Sequence, residues 1–262
     1  MPDVGVAGGE AAVVDDMVVE SVEDFLAFLQ ASVPPTSDYW FRGHQSDGWD
    51  LSASVFRTPT REANERILLK RFIQEARRHL PDVPTDQWDW VFLAQHHQVP
   101  TRLLDWSENP LVALFFAAQD HLDIPTDPQS ARDGRVWMLQ PTVMNSAHGF
   151  PFTGRDIPLF GQDDEFDGYR PWNTTGGHLQ PLAGLAARNF NRIAAQWGTF
   201  TVCNAGAPLD LLPNHETFLQ GVTVPIAAKS TVREQLSRLG YEDRTIYLDL
   251  FRLGQRLGEV YG

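Results

Sequence analysis

Arginine recurs in this sequence beside tryptophan and within apolar runs, a combination suited to holding a phosphorylated ring compound. Arg42 ends the aromatic run Tyr39-Trp40-Phe41 and leads into Gly43-His44, and Arg57 closes the next apolar stretch. A second island lies between two hydrophobic runs: Gln95-His96-His97, then Thr101-Arg102, then Asp105-Trp106-Ser107. Groups that are costly to bury need partners or a ligand there. The third comprises Arg188, Asn189, Asn191, Arg192 and Gln196, ahead of Trp197-Gly198. A guanidinium binds phosphate through paired hydrogen bonds and stacks on rings, and Trp40, Trp106 and Trp197 adjoin the three islands. Phosphate plus ring describes a nucleotide. Each island also has a plainer reading, with Arg42 a salt-bridged strand residue and Arg102 with Asp105 an ion pair bracing a turn.

The elements that position these residues follow from periodicity and punctuation. Val22, Phe25, Leu26 and Leu29 share a helical face after Ser21, and Pro34-Pro35 ends that helix. Tyr39-Trp40-Phe41 reads as a short strand whose Gly43 marks a bulge or a close backbone approach. Residues 61–80 form an amphipathic helix with Ile67, Leu68, Phe72 and Ala76 inward, and 85–98 form another, stopped by Val99-Pro100. Adjacent residues on a helix point roughly 100° apart, so His96 and His97 do not form a metal pair, and one is expected buried and the other exposed. Ser107 is the expected cap of a helix over 111–118 that is apolar nearly all round and therefore central. Its N-terminus, with Arg102 nearby, would suit an anion. Residues 134–140 alternate as a strand. The stretch 141–181 shows no sustained period and reads as a functional cover or a partly disordered insertion, its aromatics arguing against simple disorder. Strands follow at 199–203 and at 221–226, the latter at an edge because Pro225 cannot donate, and then helices at 230–239 and 245–257.

Several chemistries lack their signatures. The chain has no Walker-type loop, no G-x-G-x-x-G, no H-E-x-x-H, no G-x-S-x-G and no cysteine pair, so no metal is expected. Cys203, the single cysteine, excludes an intrachain disulfide and reads as a small buried hydrophobe. The net charge is −13, but residues 1–24 carry seven acids and no Lys or Arg, leaving the rest mildly acidic. General nucleic-acid binding is disfavoured, while a local basic pocket is not. With 262 residues, 42% of them hydrophobic, a single domain over 18–262 after an acidic, disordered lead-in (1–17) is expected. Neither a signal peptide nor an apolar run of roughly 18 residues is visible, so the expectation is a cytoplasmic protein that does not engage a membrane.

The same islands resemble a known family. Phe41-Arg42-Gly43 with His44-Gln45, Leu51-Ser52, Arg57, Ala94-Gln95-His96, Pro100-Thr101-Arg102-Leu103-Leu104-Asp105-Trp106 and Asn109-Pro110 resemble the bacterial FRG domain, named for its Phe-Arg-Gly motif. The likeness extends through Arg192-Ile193, Gln196 and Gly198-Thr199-Phe200 towards Leu257, with Leu248-Asp249-Leu250 standing where a Pro-Asp-Leu is expected. The family is defined by sequence and brings no settled reaction. A weaker similarity is to ADP-ribosyltransferases that hold NAD, in the order of an Arg-Gly strand end, a polar turn entering a helix, and a Gln or Glu before a late strand. That similarity implies that Arg42 holds a phosphate or ribose, that Trp106 and Ser107 border the nicotinamide, and that Gln196 stands in the place of a catalytic Glu.

The expected protein is an α+β domain with a central mixed, mostly antiparallel sheet flanked by helices. Its catalytic candidates are Arg42, Asp105 and Gln196. Its ligand-binding candidates are Gly43, His44, Arg57, His96, Thr101, Arg102, Trp106, Ser107 and Arg192, with Asp105 orienting Arg102 or His96. The two functional expectations are an NAD- or nucleotide-using transferase and a non-catalytic ligand-sensing or protein-interaction module.

Overall fold

The computed structural model describes residues 17–35, 37–119, 132–152, 154–173, 179–187 and 195–247, together with 254 and 258. The lead-in, Arg192 and most of the expected last helix lie outside these residues. The strands are β1 (Trp40–His44), β2 (Leu103–Ser107), β3 (Gly134–Leu139), β4 (Leu182–Gly184), β5 (Gly198–Val202) and β6 (Leu219–Val224). They form one sheet in the order β4-β5-β2-β1-β3-β6. The expected mixed sheet is corrected: every ladder among the described residues is antiparallel, and parallel pairing occurs only as the isolated bridges Val18–Thr223 and Leu159–Leu185. β6 is an edge strand of the sheet as expected, but Pro225 lies just beyond it, at the start of the following helix.

The helices are α1 (Val22–Ser32), α2 (Pro59–Ala76), α3 (Gln87–His96), α4 (Pro110–Ala117), α5 (Pro141–Ala147), α6 (Ile226–Arg238) and α7 (Asp243–Ile246). α4 is the central one. Its all-round apolar surface packs on β1, and the approach is so close that a Cβ on Gly43 would lie 1.9 Å from the Ala113 carbonyl oxygen. Gly134 meets the Ala117 carbonyl in the same way, at 2.1 Å. Gly43 therefore serves helix packing: of the two roles open to it, the close approach is realised. Asn109, not Ser107, caps α4, accepting from the Leu111 amide at 3.0 Å, with Pro110 at the first position.

Three apolar clusters hold the layers. Phe25, Phe41, Leu114, Met138, Val222 and Leu236 fill the α4 face of the sheet. On the opposite face Trp40, Leu104, Trp106, Trp137, Met144 and Phe218 pack together. Trp88, Phe92, Phe160, Phe166, Tyr169 and Phe200 close the β5 end. The third cluster corrects the expectation of an irregular cover at 141–181. That stretch contains α5 and a 3-10 turn (Asp164–Tyr169), and its buried Phe160, Phe166 and Tyr169 rings anchor it in the core. Two helix faces depart from expectation at single residues. In α1, Val22 and Phe25 are buried as expected while Leu26 is exposed and Phe28 takes its place, and in α2, Leu68, Phe72 and Ala76 are half-buried while Ile67 is exposed and Glu65 and Leu69 are buried.

Candidate functional site

β1 and β2 pair at one register position, Phe41 opposite Ser107. Beyond it the ladder stops, although β2 continues to pair with β5 and β1 with β3. The opening leaves the Asp105 carbonyl to Arg42, whose Nη1 donates to it at 2.8 Å. Arg42 Nη1 also lies 3.9 Å from Asp105 Oδ2, and its Nε donates to His44 Nε2 at 2.9 Å. The second nitrogen of His44, Nδ1, is 3.2 Å from the Trp49 carbonyl, which fixes the proton on Nδ1 and the lone pair on Nε2. Burial, then the Arg42 charge, pushes His44 well below the usual histidine range, with Arg57 and Arg135 adding to the effect and the Trp49 carbonyl opposing it. His44 is thus a neutral acceptor that aims Arg42. Burial also lowers the Arg42 pKa, opposed by Asp105 and reinforced by Arg57.

Asp105 is positioned by a second chain of bonds. Gln95 Nε2 donates to Asp105 Oδ2 at 2.6 Å, Thr101 Oγ1 donates to Gln95 Oε1 at 2.5 Å, and Ser54 Oγ accepts from the Thr101 amide at 3.1 Å. The Asp105 side chain remains half exposed. It faces a cavity of about 440 Å³ whose wall also includes Arg42, Arg57, Arg61, His96, Trp106 and Gln196. This volume falls within the roughly 300–1,000 Å³ of small-ligand sites. A smaller cavity of about 190 Å³ beside it is bounded by Gly43, Ser107 and Gln196. Ser107 Oγ donates to the Gln196 carbonyl at 2.6 Å, and the Gln196 amide donates to the Ile246 carbonyl at 3.1 Å.

The expected residues therefore divide. Arg42, Arg57, His96, Asp105, Trp106 and Gln196 converge on one cavity. Thr101 is buried and acts through Gln95, and His44 acts through Arg42. Of the two histidines, His96 is half-buried and His97 exposed. Arg102 turns away: its Nε donates to Glu65 Oε1 at 2.9 Å, its Nη2 pairs with Glu65 Oε2, and Nη1 reaches the Tyr169 carbonyl at 2.8 Å and Asn204 Oδ1 at 2.9 Å. The expected Arg102–Asp105 pair is not formed, nor is Asp105 placed to orient Arg102, and Arg102 is no part of an anion site at the start of α4. All three nitrogens of its guanidinium are engaged by Glu65 and its neighbours.

Gln95 belongs to the second polar island but was given no role at the site, and two further cavity residues were not singled out from the sequence. Arg61 reads there as solvated helix surface. Gln98 adopts φ 62°, a left-handed conformation uncommon outside glycine, and no sequence signal marks it. Cys203 is buried and its thiol is pushed up to about 12 by burial, so it offers no thiolate. Among the described residues no cluster of three or more His, Cys, Asp or Glu is placed to hold a metal ion, and no helix is long and apolar enough to cross a membrane.

Comparison with curated proteins and with solved structures finds no match, so the likeness to ADP-ribosyltransferases gains no support as a fold. Residues 37–124 match a family model, that of the FRG domain, a shorter span than the sequence resemblance suggested and one that leaves Gln196 outside. The matched stretch supplies Arg42, Arg57, Arg61, Gln95, His96 and Asp105 to the cavity. The chain carries an FRG domain at residues 37–124.

Proposed function

We propose that the cavity binds a nucleotide-like ligand, NAD among the candidates, through its phosphates. The carrying observation is the convergence of Arg42, Arg57 and Arg61 on one wall, with Asp105 the single carboxylate of the lining among the described residues. Arg57 and Arg61 donate to backbone carbonyls of Ser52 and Ser54, at 3.5 and 3.3 Å, and among the described residues no carboxylate lies within ion-pair distance of either. Guanidinium groups held near a cavity without an acidic partner favour an anionic guest.

An ADP-ribosyl transfer asks for more than binding. NAD supplies an electrophilic ribose carbon whose bond to nicotinamide breaks as positive charge develops. Among the described residues Asp105, aimed by Gln95, is the cavity's only carboxylate for stabilising such charge, since Gln196 carries none and its amide is directed to Ile246. Gln196 in the place of a Glu favours ligand sensing over transfer.

Calorimetry and thermal shift with NAD, ADP-ribose, ADP and inorganic pyrophosphate test the binding. Arg57→Ala and Arg61→Ala should each weaken affinity about tenfold while leaving the melting temperature unchanged, because each removes one charge-assisted contact from an exposed side chain. Absence of heat and of thermal shift with all four ligands at millimolar concentration refutes the reading. Nicotinamide release from NAD that is abolished in Asp105→Asn separates transfer from sensing.

A further inference from the structure

A second cavity of about 490 Å³ also borders the 3-10 turn Ser54–Arg57, and Arg57 lines both. The two differ in chemistry. Around the first stand Arg42, Arg57 and Arg61; the second has Arg57 alone among cations, with the Asp50 carboxylate and the rings of Trp49 and Phe56. A phosphate is repelled by Asp50 and attracted by the first wall. An uncharged ring carrying N–H donors fits the second, where it meets aromatic faces and a carboxylate acceptor.

The Trp49 indole is anchored for this task. Its ring packs edge-on to His44, with centroids 5.9 Å apart, while 41% of the residue stays exposed. Gly206, also in the wall, keeps the space open: a Cβ there would meet Phe56 only at ordinary contact distance, 3.6 Å, so the position has room that the sequence leaves unfilled.

Resting on the phosphate-binding reading, we infer that the Trp49–Phe56–Gly206 cavity is the base subsite of a nucleoside diphosphate, with Arg57 at the junction between base and phosphates. A base stacked on an aromatic wall strengthens binding about tenfold or more over phosphates alone.

Pyrophosphate and ADP, titrated calorimetrically into the full chain, measure the two cavities separately. Wild-type protein should bind ADP about tenfold tighter than pyrophosphate, and Gly206→Leu, which fills the second cavity, should bring ADP to the pyrophosphate level while changing pyrophosphate affinity less than about twofold. Equal affinity for ADP and pyrophosphate, or an unchanged ADP affinity in Gly206→Leu, overturns the base subsite and leaves the phosphate site standing. Failure of pyrophosphate and ADP alike to bind overturns both. Should Gly206→Leu unfold, as circular dichroism would report, Trp49→Ala removes the ring wall without adding atoms. It must show the same selective loss of ADP, and an equal loss of both ligands also counts against the subsite.

Discussion

Replacing Arg102 with methionine removes the guanidinium that neutralises Glu65, and the loss should be read in stability. The two side chains are 11% and 6% exposed and meet through two parallel hydrogen bonds. Methionine leaves Glu65 charged in a buried place with no partner, and it also takes the donor from the Tyr169 carbonyl and Asn204 Oδ1. Breaking a buried pair from one side costs about 3–5 kcal/mol. For a domain of this size about 1 kcal/mol moves the melting temperature by about 2–4 °C, so Arg102→Met should melt about 10 °C lower. The double variant Glu65→Leu with Arg102→Met removes both charges and should recover most of that loss, since the desolvation cost disappears with the pair. Urea denaturation and scanning calorimetry of the three proteins decide it. An Arg102→Met protein melting within about 2 °C of wild type, or a double variant no more stable than the single one, refutes the structural assignment of Arg102.

Gly43→Ala should be severely destabilising, measured as loss of soluble folded protein or a lower urea midpoint, because its Cβ would meet the backbone of α4 at Ala113 and Ala117 rather than a side chain that can turn aside. A wild-type midpoint would show that β1 and α4 are not in that contact. Folding stability should also fall with acid through His44: its folded pKa lies well below the ordinary 6.5, so below pH 6.5 the unfolded chain takes up a proton that the folded chain refuses. This stability is fully present above 6.5 and declines as pH falls towards the depressed folded value. His44→Gln, which retains an acceptor for Arg42, should flatten that slope, and an unchanged slope contradicts the neutral histidine. Gln95→Leu should leave Asp105 unaimed and the buried Thr101 Oγ1 without its acceptor, a loss of about 1–3 kcal/mol that a lower urea midpoint would report, and an unchanged midpoint contradicts that chain of bonds.

The sequence was most informative where local pattern and burial agree. A helix that is apolar all round has to be central, and α4 is. Arginine at an aromatic strand end has to leave the core, and Arg42 does so into a cavity shared with Asp105 and Gln196, residues far apart in the chain. Pairings between distant charges were not legible. Arg102 is three residues from Asp105, yet its partner is Glu65 on α2, because Asp105 faces the opening of the sheet and Glu65 is buried against it. That same pair sets the phase of α2: with Glu65 inward, Leu69 follows one turn on and Ile67 is carried to solvent, while Leu68, Phe72 and Ala76 of the expected stripe stay half-buried. Residues 141–181 misled for another reason, since their aromatics enter the core from turns and short helices, which leave no period to read. Ser107 and Asn109 are both competent caps, and only the extension of β2 through Ser107 decides between them.

The opening between β1 and β2 is what joins stability to function in this fold. In a continuous ladder the Asp105 carbonyl would be bonded by a β1 amide. Here a guanidinium replaces that amide, and Arg42 retains its charge at the cavity wall while it satisfies the strand. The same group therefore closes a gap in the sheet and attracts an anion, with neutral His44 accepting from its Nε and leaving the charge undiminished. Removing Arg42 must lose both properties together, so Arg42→Ala cannot tell a ligand site from a brace. Arg57 and Arg61 can, because they are exposed, rest only on turn carbonyls and contribute charge without holding a strand in place. If binding survives their loss, Arg57 and Arg61 are solvated surface and take no part in holding the anion.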